Sequence, residues 1–272
     1  MARNAAPTRT MPPAWPLDVR LMNGVAVGVF ALAALALAAA AVAWLSRAPL
    51  FTLRAVQLDG DLTRNSVGTV RANALPLLRG NFFSIDLQQA RAAFQTVPWV
   101  RQAVVRRVWP NRLAVRLEEH QAAALWQGPG EAGSGGERLV NSHGEIFEAN
   151  LGDVEDEALP QFSGPDDSAA QMLALYRRLQ PALAPLALEI AALHLSGRGS
   201  WRVELDNGAS VELGRGSADE VLARTDRFVR TVGQVTGRYQ QPLVYADLRH
   251  TDGYAVRLRG VTTTAPAVKT NN

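Results

Sequence analysis

From Leu21 to Ser46 the chain carries no charged residue. At about 1.5 Å of rise per residue, a helix over this run crosses a hydrocarbon layer of about 30 Å. Trp15 and Trp44 lie near its ends, where amphipathic rings favour the headgroup layer. Arg3, Arg9 and Arg20 precede the run against one acid, Asp18, so the positive-inside rule puts the N-terminus in the cytoplasm and the bulk outside. A cleaved signal peptide is the rival reading, with small residues at Ala40, Ala41 and Ala43, but its apolar stretch spans only about 7–15 residues. A buried helix of a soluble fold fits poorly, because the run has no polar face. The reading is therefore a transmembrane helix over 21–46.

Residues 1–20 carry Pro7, Pro12, Pro13 and Pro16 and no period, and read as a disordered tail. After the span, Pro49 breaks any continuing helix.

Residues 51–119 read as one small α+β unit of order β-α-α-β-β. A strand covers Phe51 to Leu58 and ends at the turn Asp59-Gly60. A helix follows from Ser66 to Leu75, stopped by Pro76. Asp86 with Gln89 reads as a capping box that opens a second helix through Phe94. A strand from Val100 to Trp109 and a turn at Pro110-Asn111 lead to a last strand, Arg112 to Glu118. There Leu113, Val115 and Leu117 alternate with Arg112, Ala114, Arg116 and Glu118, the period of a half-buried strand.

Residues 120–260 read as a mainly antiparallel β domain with flanking helices. Gly128 to Gly136 is a glycine-rich loop. Leu139-Val140 and Ile146-Phe147 flank a hairpin signal at Asn141-Ser142-His143-Gly144, and Asn207-Gly208 joins the strands Trp201–Leu205 and Ala209–Leu213. A further strand lies at Ala191–Leu195. Ser168 with Gln171 reads as a capping box for a helix that stops near Pro181. Ser217 with Glu220 caps a longer helix whose apolar stripe is Val221, Leu222, Thr225, Phe228, Val229 and Val232. Strands Leu243–Arg249 and Tyr254–Arg259 are joined across Asp252-Gly253. Residues 261–272 are polar and read as a disordered C-terminal tail.

Chemistry-bearing patterns are weak. The chain has no cysteine, which removes disulfides, thiol nucleophiles and cysteine metal sites. The histidines His120, His143, His194 and His250 have no helix-borne metal spacing. Gly214-Arg215-Gly216-Ser217 lacks a full phosphate-loop pattern and reads as a hairpin end plus N-cap. Glu118-Glu119 and Asp153 to Glu157 read as solvated charges. A formal net charge of +3 spread over the chain does not point to nucleic acid. No cofactor, metal or catalytic residue is expected.

An ordered set of stretches resembles the FtsQ (FtsQ/DivIB) family of bacterial cell-division proteins. The set comprises Asn81-Phe82-Phe83 with Asp86-Leu87, Pro98-Trp99-Val100, and Val105-Arg106-Arg107 into Trp109-Pro110. It continues with Leu159-Pro160, Ser163-Gly164-Pro165, Ser200-Trp201, Leu213-Gly214-Arg215, Arg227-Phe228 and Asp247-Leu248-Arg249. Asp252-Gly253 and Tyr254-Ala255-Val256 close it. The resemblance implies a membrane-proximal POTRA-type domain and a second β-rich domain, in a single-pass inner-membrane protein at the division septum. It implies a scaffold and no catalysis. The implied partners are FtsB and FtsL, with FtsK, FtsW and FtsI around them, and membrane lipid around the anchor. In the family, the C-terminal edge strand receives a segment of FtsB by strand addition. Carried onto this chain, the partner-binding positions are Arg198, Arg249, His250, Asp252, Gly253, Tyr254, Val256 and Leu258. Arg198 and Arg249 match basic positions that meet an acidic partner residue. The family often has tyrosine where His250 stands, and some members have a large aromatic where Leu258 stands; Tyr254 is the candidate to replace that aromatic surface. The alternative is another membrane-anchored POTRA-type accessory, of outer-membrane protein assembly or secretion.

Overall fold

The computed structural model describes residues 17–47, 51–60, 62–128 and 138–261. Of the expected tails over 1–20 and 261–272, residues 1–16 and 262–272 lie outside them, as does most of the glycine-rich loop (129–136); residues 17–20 are not tail but the first turn of the long apolar helix. Helix α1, Leu17–Arg47, has almost no amphipathic character, and its window Asp18–Trp44 is long and apolar enough to cross a membrane. None of that window is buried against the rest of the chain.

The first globular unit holds β1 (Ala55–Gly60), α2 (Val67–Ala74), α3 (Leu87–Gln95), β2 (Val100–Val108) and β3 (Arg112–Glu119). The expected β-α-α-β-β order is present. Its sheet runs β1-β3-β2, with β1 parallel and β2 antiparallel to the central β3. The alternation seen in the sequence sets the faces: Leu113, Val115 and Leu117 pack under α2 and α3 against Val70, Ala90 and Phe94. The Asp86 carboxylate accepts from the N–H groups of Gln88 and Gln89, capping α3. Pro76 does not end the chain's winding at once; Leu75–Leu77 continue as a 3₁₀ turn closed by the Leu78 N–H on the Leu75 carbonyl, a bond that asks no donor of Pro76.

The second unit is a nine-stranded sheet in the order β12-β11-β10-β9-β8-β7-β4-β5-β6. Its strands are β4 (Ala122–Gln127), β5 (Arg138–Asn141), β6 (Ile146–Glu148), β7 (Gln161–Ser163), β8 (Ile190–Leu195), β9 (Trp201–Leu205), β10 (Ser210–Gly214), β11 (Leu243–Asp247) and β12 (Ala255–Leu258). The pairings β4–β7, β7–β8 and β10–β11 are parallel and the others antiparallel. Helices α4 (Ala169–Leu183) and α5 (Ala218–Tyr239) cover one face, burying Phe162, Leu179, Leu193, Val203, Val211 and Phe228 in one core. Each parallel β-to-β step across a helix needs such a crossover. On the opposite face Arg202 of β9 pairs with Glu212 of β10 at 2.5 Å.

Two local expectations change. Ser168 stands at the N-cap position of α4 but makes no capping bond: its backbone is already helical, in a 3₁₀ turn, and its hydroxyl donates to the Pro165 carbonyl instead. Pro181 lies inside α4, in its last turn, where the chain loses one backbone hydrogen bond and still winds on to Leu183. The Ser217–Glu220 capping box is complete in both directions.

Candidate functional site

Among the described residues, strand β12 pairs with β11 on one side and ends the sheet on the other. Arg259 donates its N–H inward, to Pro242 beside β11, at 3.1 Å. Successive residues of a strand direct their backbone groups to opposite edges. Ala255 and Arg257 therefore serve β11, while Val256 and Leu258 present their N–H groups outward. An unpaired row of this kind is a template for another chain.

The side chains of β12 follow the same alternation. Leu258 is buried opposite Leu243, and Val256 is half-buried on the α5 side. Ala255 and Arg257 lie on the other face, with the Arg257 guanidinium over the Tyr245 ring at 5.5 Å. Leu258 thus faces the protein's own core, and only its backbone faces the edge. Tyr254 is also turned inward. Its ring meets Phe228 of α5 edge-on at 5.1 Å, and its hydroxyl is 2.7 Å from the Thr231 hydroxyl. That contact commits one side of the half-buried Tyr254 ring to α5, and the ring holds the loop before β12 there. Arg227 donates to the Thr251 carbonyl at 2.6 Å and pins the same loop. His250 and Asp252 are exposed on it, and Gly253 is half-buried.

Beside this loop lies a cationic notch of about 520 Å³, lined by Ser196, Arg198, Gly214, Arg215, Arg224 and Arg249. The structure brings Arg198, from the β8–β9 turn, and Arg249, after β11, to one place. Asp247 holds Arg249 in a two-pronged grip, accepting from Nε at 2.8 Å and from an Nη at 2.6 Å. The guanidinium beside it draws the Asp247 carboxyl down to about 2. Arg249 keeps its other guanidinium donors for the notch. Gly214 makes room: a Cβ there would meet Arg249 Cγ at 2.9 Å, and the residue has φ +79°.

Arg215 and Arg224 were not among the partner-binding positions expected from the sequence. Arg224 donates to the Arg215 carbonyl at 2.5 Å. Its Nε is buried and has no hydrogen-bond partner among the described residues. The available signal was weak: Arg224 lies off the apolar stripe of α5, and Arg215 follows the Leu213-Gly214 turn. Nothing in either spacing says that the two helix and hairpin ends meet.

A second cluster joins the two sheets. Trp99, left-handed at φ 67° and buried, donates Nε1–H to Asp153 at 2.8 Å and packs edge-on against Phe147. The Arg64 guanidinium lies over its ring at 4.3 Å and also pairs with Glu157. The Glu119 carboxylate accepts from the N–H groups of Thr63, Arg64 and Asn65. Arg101 of β2 bonds both Glu118 and Glu145, and His120 stacks on Phe147 at 4.0 Å.

One long apolar helix, a three-stranded α+β unit and a nine-stranded sheet covered by helices define a protein with one stretch able to cross a membrane, followed by two α+β units. Residues 51–120 match the family described as POTRA domain, FtsQ-type, and residues 124–249 match Cell division protein FtsQ/DivIB, C-terminal. The chain is 43% identical over 249 residues to "Cell division protein FtsQ" of Thiomonas arsenitoxydans, covering 90% of this chain and 89% of that protein. It is 43% identical over 245 residues to the protein of that name from Burkholderia pseudomallei, covering 90% of this chain and 94% of that one. The Bordetella pertussis protein of that name is 37% identical over 259 residues, covering 89% and 92%. The chain belongs to the FtsQ/DivIB family of cell-division proteins, a family of division scaffolds. The match to the C-terminal family description stops at Arg249, so β12 lies beyond it.

Proposed function

We propose that this chain is a division scaffold that crosses the inner membrane once, with its N-terminus cytoplasmic and both sheets periplasmic. In this reading it links early division proteins such as FtsK to the FtsB–FtsL pair and to FtsW and FtsI at the septum. A segment of FtsB adds to β12 as a further strand, pairing with the outward groups of Val256 and Leu258. A carboxylate of that segment enters the notch and meets Arg198 and the remaining donors of Arg249. Such a charge-assisted pair is worth roughly 1.5–3 kcal/mol when shielded from water. Arg249, His250, Asp252, Gly253 and Tyr254 shape the loop against which the added strand lies.

The observation that carries the reading is the one-sided pairing of β12 next to a cationic notch. The other edge of the large sheet, β6, is only three residues long, and its Phe147 is committed to the joint. The test is binding of the detergent-solubilised full chain to the periplasmic part of the cognate FtsB–FtsL pair, beside Val256→Pro. Proline removes one outward donor and leaves the bonds to β11 in place. The expected result is binding by the parent and a loss of about tenfold or more in the folded variant, the worth of roughly one shielded hydrogen bond. Equal binding by the two moves the interface away from β12.

A further inference from the structure

Every element of the first unit runs between two ends. The far end holds Gly60, Asn65, Pro98 and Glu119 and meets the second sheet. The near end, or base, holds the start of β1, the turn after β2 and the loop between the 3₁₀ turn and α3. Three contacts close it: Arg54 N–H to the Asn111 carbonyl at 3.1 Å, Phe82 N–H to the Phe51 carbonyl at 2.9 Å, and Arg107 Nη to the Ile85 carbonyl at 2.6 Å.

The base is where the chain arrives from α1. Only residues 48–50 separate Arg47 from Phe51, and four Cα steps span at most about 15 Å. The base therefore cannot leave the neighbourhood of the headgroup layer. Its surface has the matching chemistry. The loop buries Phe82 and Ile85 but leaves Phe83 52% exposed; Leu77, leading into it, is 52% exposed, and Trp109 is 77% exposed. Large apolar side chains in such numbers at one end of a small unit mark a surface that something covers. The same end carries the exposed cations Arg54, Arg79 and Arg112. Across residues 51–54, 78–86 and 105–112 there are five arginines and one acid, Asp86, whose carboxylate is occupied as the cap of α3. Exposed aromatic rings and cations at one end suit the boundary of an anionic bilayer, where rings sit at headgroup depth and each cation near the surface adds attraction.

We propose that the base of the first unit is a lipid-binding face: Leu77, Phe83 and Trp109 enter the headgroup layer of the leaflet from which α1 emerges, and Arg54, Arg79 and Arg112 meet lipid phosphates. This rests on α1 spanning the membrane and not on strand addition at β12. It gives the first unit a defined posture on the membrane, with the second sheet and its open edge held away from the bilayer.

The chain has no cysteine, so single cysteines are unambiguous reporters. The full chain carrying Phe83→Cys, labelled with an environment-sensitive dye, is reconstituted in vesicles of phosphatidylethanolamine and phosphatidylglycerol containing spin-labelled quencher lipid. Asn207→Cys, in the β9–β10 turn, is the reference. The expected result is several-fold stronger quenching at position 83 than at 207, falling toward the reference in high salt, which screens exposed charges. It falls likewise in a folded variant combining Arg54→Glu, Arg79→Glu and Arg112→Glu. Equal quenching at the two positions overturns the proposal. So does strong quenching at 83 that neither salt nor charge reversal reduces, since the tether alone then explains the proximity. Binding of FtsB–FtsL to the same charge-reversed variant stays as in the parent, which separates this face from the edge at β12.

Discussion

A glycine sets the position of the arginine that the family pattern singles out. Gly214 occupies φ +79°, a region that costs a residue with a Cβ about 1–3 kcal/mol, and a Cβ there would also push on the Arg249 stem. Gly214→Ala is expected to lower stability by about 1–2 kcal/mol in thermal melts and, by displacing Arg249 from the notch, to weaken FtsB–FtsL binding further than the stability loss explains. Asp247→Asn is the companion: it keeps the fold of the loop but loosens the two-pronged grip on Arg249. The Leu213-Gly214-Arg215 triplet was legible as a hairpin end. The reason for its glycine was not, because the crowding atom belongs to a residue far along the chain.

At the scale of elements, α5 does two things with one face. Val221, Thr225, Phe228 and Val232 fill the core, as their helical spacing predicted, and Phe228 with Thr231 also holds Tyr254. Phe228→Ala removes a fully buried ring and is expected to cost about 3–5 kcal/mol. Tyr254→Phe removes one hydrogen bond and costs about 0.5–1.5 kcal/mol. Hydrogen exchange on the two variants distinguishes their effects: the first raises exchange across the whole second sheet, the second only in the loop after β11 and in β12. Strands β4 and β7 show how far periodicity reaches. Neither appeared among the expected elements. β7 has three residues, too short for an alternation, and half of β4, Ala122–Gln127, is alanine, followed by the adjacent Leu125 and Trp126. Their pairing partners supply what their own sequences lack.

At the scale of the whole molecule, the two sheets are held by the cluster around Trp99, Phe147 and His120, and two titratable groups of that cluster lie off their ordinary values. Burial pushes the His120 imidazole below its ordinary value of 6.5, with Glu145 and Glu118 opposing and Arg101 and His143 assisting. Arg101 and Asn141 draw the Glu145 carboxyl down from 4.5 to about 2. A depressed value in the folded state favours folding above the unfolded value and loses that contribution as pH falls. The His120 contribution therefore begins to fade below about pH 6.5, and the Glu145 contribution fades between about pH 4.5 and 2. The melting temperature of the parent is expected to fall from pH 7.5 to 5.5 by about a degree or more, and His120→Gln to flatten that slope. An unchanged slope in the variant shows that His120 does not couple the joint to pH.

The sequence by itself determined whatever depends on neighbours along the chain. The apolar run at α1, the alternation in β3, the caps of α3 and α5 and the Asn-Gly turn all follow from local sterics, hydrogen bonding and burial period. The ordered family pattern added the anchor-POTRA-β order. What depends on distant residues was decided only by the tertiary structure. The parallel pairing of β1 with β3 and the order of the nine strands rest on crossovers that no local pattern encodes. The same holds for the inward turn of Tyr254 and Leu258, and for the meeting of Arg198, Arg215, Arg224 and Arg249. A side chain's period says that it has a buried face, but only packing in three dimensions says which partner covers it and which edge is left open.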